Sequence, residues 1–173
     1  MSEDAEFISE REQVLRLAEV EDKEILDIGA GPFAEIAVSM FDCYVTSIDI
    51  SKAALEEAER EAAEHGVAEK ISFEHENAAD LSYGDETFDI GVCFCALHHI
   101  PVDQREAVLH ELFRVVYERM VIAEFTREGF AELHGGSLYT PVDLAWLEEV
   151  LSGLGEVAVH RLGKINVYIL NKQ

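Results

Sequence analysis

Glu24-Ile25-Leu26-Asp27-Ile28-Gly29-Ala30-Gly31-Pro32 is the stretch on which the fold turns. Its first half is a short apolar run, the pattern of a buried strand. Its second half is a glycine turn that stops the strand and leads into a helix predicted over residues 34–41. Two glycines at such a bend let the backbone approach a ligand closely, with no Cβ in the way. The helix that follows offers free N–H groups to a carboxylate or a phosphate. A glycine turn alone is also compatible with a plain strand-to-helix connection, so its neighbours must decide.

Downstream, strands and helices alternate. Residues 44–50 (Tyr-Val-Thr-Ser-Ile-Asp-Ile) are rich in β-branched side chains and read as a second strand. Ser51 caps a helix that runs to about residue 65, and Gly66 ends it. Residues 71–74 form a short third strand. The fourth, residues 88–94, is nearly all apolar, as suits a central strand covered on both faces. Helical patterns over 102–116 and 141–154 flank a fifth strand at 119–124, with Pro141 placed in the first turn of the later helix. Residues 157–161 and 165–170 flank Leu162-Gly163-Lys164 and read as a hairpin. Upstream, residues 7–20 carry apolar positions at helical spacing, including Phe7, Ile8, Val14, Leu15 and Leu17.

This order predicts an α/β fold: a Rossmann-like, mostly parallel, seven-stranded sheet with helices on both faces and a C-terminal antiparallel hairpin. Residues 1–173 form one domain, with residues 1–23 supplying an N-terminal helix over the ligand side. Ligands of such sheets bind at the carboxyl ends of the strands, where the strand order reverses.

Composition narrows the function. Thirty-six Asp and Glu stand against thirteen Lys and Arg, a formal charge of −23. Nucleic-acid affinity rests largely on basic side chains releasing counterions, so a nucleic-acid substrate is disfavoured. An anionic membrane surface is disfavoured for the same reason. Three cysteines, Cys43, Cys93 and Cys95, with no Cys-x-x-Cys pair, argue against a disulfide framework and against a metal site. Cys93 and Cys95, two apart in a predicted strand, would point to the same face. The N-terminus is acidic and carries no apolar leader, and no apolar run has membrane-spanning length, so the expected location is cytoplasmic.

Asp49 ends the second strand, eighteen residues after Gly31. An acid there can hold both hydroxyls of a ribose; otherwise it is a solvent-facing strand end or a helix cap. Two ligands fit the turn and the acid together: a dinucleotide such as NAD, and S-adenosylmethionine. Residues 29–34 even satisfy the loose dinucleotide pattern. Asp27 helps to separate them. A carboxylate beside the turn repels a pyrophosphate and attracts a ligand carrying a sulfonium and an ammonium group.

These motifs resemble the class I S-adenosylmethionine-dependent methyltransferases, especially the small-molecule branch that includes the ubiquinone and menaquinone methyltransferases. Residues 25–32 look like the family's first motif and Ser47-Ile48-Asp49-Ile50-Ser51 like its second. Asn77-Ala78-Ala79-Asp80-Leu81, Phe88-Asp89 and Ala96-Leu97-His98-His99-Ile100 look like its third and fourth. The resemblance implies S-adenosylmethionine as cofactor and a small-molecule methyl acceptor. It implies that Asp27, Gly29 and Gly31 hold the methionine end. Asp49 and Ile50 would hold the ribose and line the adenine, and Asn77 and Ala78 would meet the adenine edge. Cys95 would lie near the sulfonium. Leu97 and His98 would border the acceptor pocket.

The chain departs from the family at Phe33, which stands where the third glycine of the first motif falls, and at Asn77, which replaces an acid. Phe33 narrows access for the cofactor or fills part of its pocket. His98 is a candidate general base, or else a pocket wall; Glu124 at the end of the fifth strand is a candidate acceptor contact. His134 and Tyr139, with Gly135-Gly136, could form a lid. Two other functions stay open: a binding protein that keeps the cofactor fold without catalysis, and a dinucleotide oxidoreductase. A homodimer is compatible with the sequence.

Overall fold

The computed structural model describes residues 3–172, with side chains from Ser9 onward. Its elements, in chain order, are α1 (Glu3–Ala18), β1 (Glu24–Ile28), α2 (Pro32–Met40), β2 (Tyr44–Asp49) and α3 (Lys52–Glu64). Next come β3 (Ile71–His75), β4 (Phe88–Phe94), α4 (Arg105–Val115), β5 (Val116–Phe125) and α5 (Arg127–His134). The chain closes with α6 (Leu144–Leu154), β6 (Val157–Leu162) and β7 (Ile165–Asn171).

The seven strands form one sheet in the order β3-β2-β1-β4-β5-β7-β6. The first five are mutually parallel, and β7 runs antiparallel to both β5 and β6. The order reverses between β1 and β4, which pair directly with Asp27 opposite Val92. The switch point, and with it the binding crevice, therefore lies at the carboxyl ends of these two strands.

Each face of the sheet is buried under helices. On one face Val14, Leu15 and Ala18 of α1 and Phe33, Ala34 and Ala37 of α2 join Ile25, Val92 and Val121. On the other, Val108, Leu109 and Leu112 of α4 and Leu147 and Leu151 of α6 cover Leu26, Cys93 and Ile122. Gly91 of β4 permits this approach: a Cβ there would stand 2.4 Å from Leu112 Cδ1 and 2.7 Å from Val116 Cγ1.

Several boundaries differ from the sequence reading. The helix predicted over 34–41 starts earlier, at Pro32, because proline suits a first helical turn. The helix predicted over 102–116 is a 3₁₀ turn at Val102–Gln104 followed by α4, and β5 begins at once at Val116. Pro141 is not helical; Asp143 is the cap of α6, its Oδ1 accepting from the N–H groups of Ala145 and Trp146. Residues 127–134, to which the sequence reading assigned no element, form α5, capped by Thr126, whose Oγ1 accepts from Gly129 N. Phe7 and Ile8 lie in α1 but outside the described side chains. The two cysteines do not share a face. Cys93 packs among the α4–α6 cluster and Cys95 against the α1–α2 cluster. The strand has ended before Cys95, which adopts a left-handed φ of 48°.

Candidate functional site

The glycine turn, β2 and the segment after β3 enclose a cavity of about 170 Å³. Gly29 takes φ +97°, and its N–H donates to Ile48 O at 2.9 Å, tying the turn to β2. A Cβ at Gly29 would lie 3.1 Å from Ala96 Cβ, so the position needs glycine for both conformation and space. Asp49 stands at the tip of β2. Its Oδ2 accepts from Ala30 N at 3.0 Å and its Oδ1 from Ser51 N at 2.8 Å. One carboxylate thus braces the glycine turn and the start of α3 while forming part of the cavity wall.

Gly29, Asp49, Ile50, Asn77 and Ala78 all line this cavity, with Ile48, His99, Ile100 and Gln104. Ile50 is 69% exposed, a large apolar side chain at the cavity's edge. Asn77 Oδ1 accepts from Ala79 N at 3.0 Å, which fixes the turn that carries Ala78. Chemically the cavity offers a carboxylate for a diol and apolar walls for a flat ring.

Asp27, Gly31 and Cys95 lie outside that lining. Asp27 is 1% exposed and accepts from Ser47 Oγ at 3.1 Å. Burial, chiefly, pushes its carboxyl up to about 8, while the Ser47 bond and the charge of Arg11 pull the other way. At neutral pH the group therefore carries a proton, whereas its sequence position suggested a standing negative charge. Gly31 borders open space: a Cβ built there meets nothing within 4 Å. Cys95 donates its N–H to Ala123 O at 2.8 Å, and burial holds its thiol well above the ordinary value, hence neutral.

His98 and Glu124 come together although 26 residues apart. Nδ1 of His98 lies 2.9 Å from Glu124 Oε1, and both side chains are about 1% exposed. Glu124 also accepts from His98 N at 3.3 Å and from Phe125 N at 2.9 Å. Nδ1 is thus the ring nitrogen held by the Glu124 carboxyl, and Nε2 points away from it. Nε2 is buried with no hydrogen-bond partner among the described residues. Around it stand the rings of His99, Phe125, Phe130, His134 and Tyr139, with centroids 4.2–5.7 Å from that of His98. Burial, then the neighbouring imidazoles, lowers the pKa of both His99 and His134 and keeps them neutral.

Three contributors were missed by sequence reasoning. Arg105, 3% exposed, donates to the carbonyls of His98, Ile100, Thr140 and Pro141. It clasps the His98 turn to the segment bearing Tyr139. His99 rather than His98 lines the cavity, stacked on Tyr139 at 4.3 Å. Arg11 of α1 places its guanidinium 5.2 Å from the Phe94 centroid. Nothing in a single sequence marks these residues apart from the His98-His99 pair. Among the described residues no cluster of His, Cys, Asp or Glu could hold a metal ion, and no helix is long and apolar enough to cross a membrane.

Fold and site define a Rossmann-like protein with a cavity at its switch point, lined by a carboxylate and apolar side chains. A family model described as a methyltransferase domain matches residues 25–118, more than half of the chain. The chain belongs to this family, the class I, S-adenosylmethionine-dependent methyltransferases. It is 32% identical over 133 residues to the O-methyltransferase cnsE of Penicillium expansum, covering 73% of this chain and 48% of that one. Among solved structures, the PH0226 protein of Pyrococcus horikoshii OT3 shares the fold at a TM-score of 0.84 and 18% identity, over 100% of this chain and 92% of that one. The magnesium protoporphyrin IX methyltransferase of Synechocystis PCC 6803, solved with bound S-adenosylhomocysteine, does so at 0.75 and 16%, over 98% and 84%. The chain spans less than half the length of the curated relatives it matches first.

Proposed function

We propose that this chain moves the methyl group of S-adenosylmethionine to a hydroxyl of a small-molecule acceptor. The observation that carries the reading is the Asp49 carboxylate, on the wall of the switch-point cavity and beside the glycine turn. A ribose diol placed there would meet two acceptor oxygens, and an adenine would lie between Ile50 and the Asn77–Ala78 turn. The relative in Penicillium expansum, an O-methyltransferase by name, supports a hydroxyl acceptor. The charge of −23 supports a partner other than nucleic acid.

When bound, S-adenosylmethionine supplies an electrophilic methyl carbon on a positively charged sulfur. The chain's part is alignment, exclusion of water and removal of one proton. His98 Nε2 is the atom that accepts the acceptor's hydroxyl proton, and Glu124 stabilises the imidazolium that results. Glu124 also fixes the tautomer and the ring orientation through Nδ1. Tyr139 and His134 close over His98, so an acceptor reaches Nε2 when these rings move aside. We read residues 1–173 as one domain whose N-terminal helix covers the cofactor side, a reading supported by Arg11 over Phe94.

The reading is tested by calorimetry with S-adenosylhomocysteine, followed by transfer of labelled methyl to a panel of hydroxylated acceptors. Asp49→Ala should abolish binding. Binding without transfer to any acceptor would leave a cofactor-binding protein and refute the catalytic half.

A further inference from the structure

Phe33 lies in the first turn of α2, just after Pro32, and Phe94 ends β4. Because β1 and β4 are neighbours, these two rings meet near the carboxyl ends of adjacent strands, in the core on the α1–α2 face. Their centroids are 5.4 Å apart with planes 21° from parallel, a stacked pair. Both are buried, at 4% and 9% exposure. Arg11 of α1 adds its guanidinium to the Phe94 ring and is already engaged within the fold. The acid on this side, Asp27, is buried and satisfied by Ser47. The open cavity lies on the other side of the crevice, lined by Asp49, Ile50, Asn77 and Ala78. The two halves of the site are therefore unequal. The nucleoside half is open, and beside Asp27 and the glycine turn, where an amino-acid tail would lie on the reading above, stands a buried aromatic stack.

An amino-acid tail entering that half must part Phe33 from Phe94, re-exposing apolar surface and losing a ring contact. It would regain charged hydrogen bonds, but only by uncovering an acid that the fold has buried. The losses offset the gains, whereas a bare nucleoside incurs none of them. Resting on the reading of this cavity as the S-adenosylmethionine site, we propose that Phe33 makes it nucleoside-selective. Adenosine and 5′-methylthioadenosine bind nearly as tightly as S-adenosylhomocysteine, and both compete with the cofactor.

The test is calorimetry of the intact chain with adenosine, 5′-methylthioadenosine and S-adenosylhomocysteine at neutral pH. The expected dissociation constants agree within tenfold. Phe33→Ala should tighten S-adenosylhomocysteine at least tenfold and leave 5′-methylthioadenosine within twofold. If S-adenosylhomocysteine binds the unaltered chain more than tenfold tighter than 5′-methylthioadenosine, the proposal falls while the cofactor site stands. A Phe33→Ala protein that gains equally for both ligands, or for neither, overturns it too. If no nucleoside binds at millimolar concentration, the proposal and the cofactor site fall together. The comparison on the unaltered chain needs no variant, so a Phe33→Ala protein that does not fold leaves the proposal exposed to refutation.

Discussion

Replacing Asp27 by asparagine should stabilise the ligand-free protein, and the gain should grow with pH. Folding carries the carboxyl from an ordinary value of 3.8 to about 8. The folded chain therefore holds a proton that the unfolded chain releases between those limits. Stability falls as pH rises wherever the folded state binds more protons. The contribution is fully favourable below the unfolded value of 3.8 and is lost progressively up to about 8. Each pH unit within the window corresponds to about 1.4 kcal/mol, and the whole window to roughly 6 kcal/mol as an upper bound. The amide keeps the shape and can still accept from Ser47, but it has no proton to lose. Urea unfolding of both proteins at pH 5, 6, 7 and 8 isolates the effect, because the other acids titrate alike in the two chains and cancel in the difference. The difference should already be about 1.5 kcal/mol at pH 5 and grow by about 1.4 kcal/mol with each further unit up to pH 8. A difference that does not vary with pH, or an Asp27→Asn protein less stable than the unaltered chain at pH 8, would refute the argument that Asp27 is buried neutral.

Other outcomes follow from the same contacts. Glu124→Gln should slow methyl transfer roughly 10²–10⁴-fold, the usual worth of a positioned base, with little change in S-adenosylhomocysteine affinity; an unchanged rate would remove His98 from the chemistry. Gly91→Ala forces a methyl against Leu112 and Val116 and should cost about 1–3 kcal/mol in denaturant unfolding. Arg105→Met removes the donors shared by four carbonyls and should cost about 2–4 kcal/mol. That variant should also speed amide exchange at Tyr139, and unaltered exchange there would show that Arg105 does not hold the segment.

What could be read from the chain alone was local. Alternating apolar runs, the glycine turn and the Ser51 cap specify parallel strands joined by helices, because each signal acts within a few residues of itself. Asp49 was legible too: its distance from the glycine turn is fixed by one strand-helix-strand unit. The short helix α5 was missed, although Thr126, Phe130 and Leu133 carry its cap and its apolar face, because two glycines nearby read as a loop. Cys93 and Cys95 were assigned one face on the assumption that the strand continued, and the left-handed turn at Cys95 ends it first.

Only the tertiary structure could decide the rest, since it depends on which distant side chains share a low-dielectric interior. The sequence shows a carboxylate at Asp27; burial beside Ser47 decides that it keeps its proton. It shows a histidine and a glutamate far apart; the pairing of β4 with β5 makes them a dyad. It shows a phenylalanine where a glycine was expected; the neighbouring strand ends decide that this ring stacks on Phe94 and is buried. Periodicity and turn chemistry are properties of the chain, whereas protonation, pairing and occlusion are properties of the space it encloses.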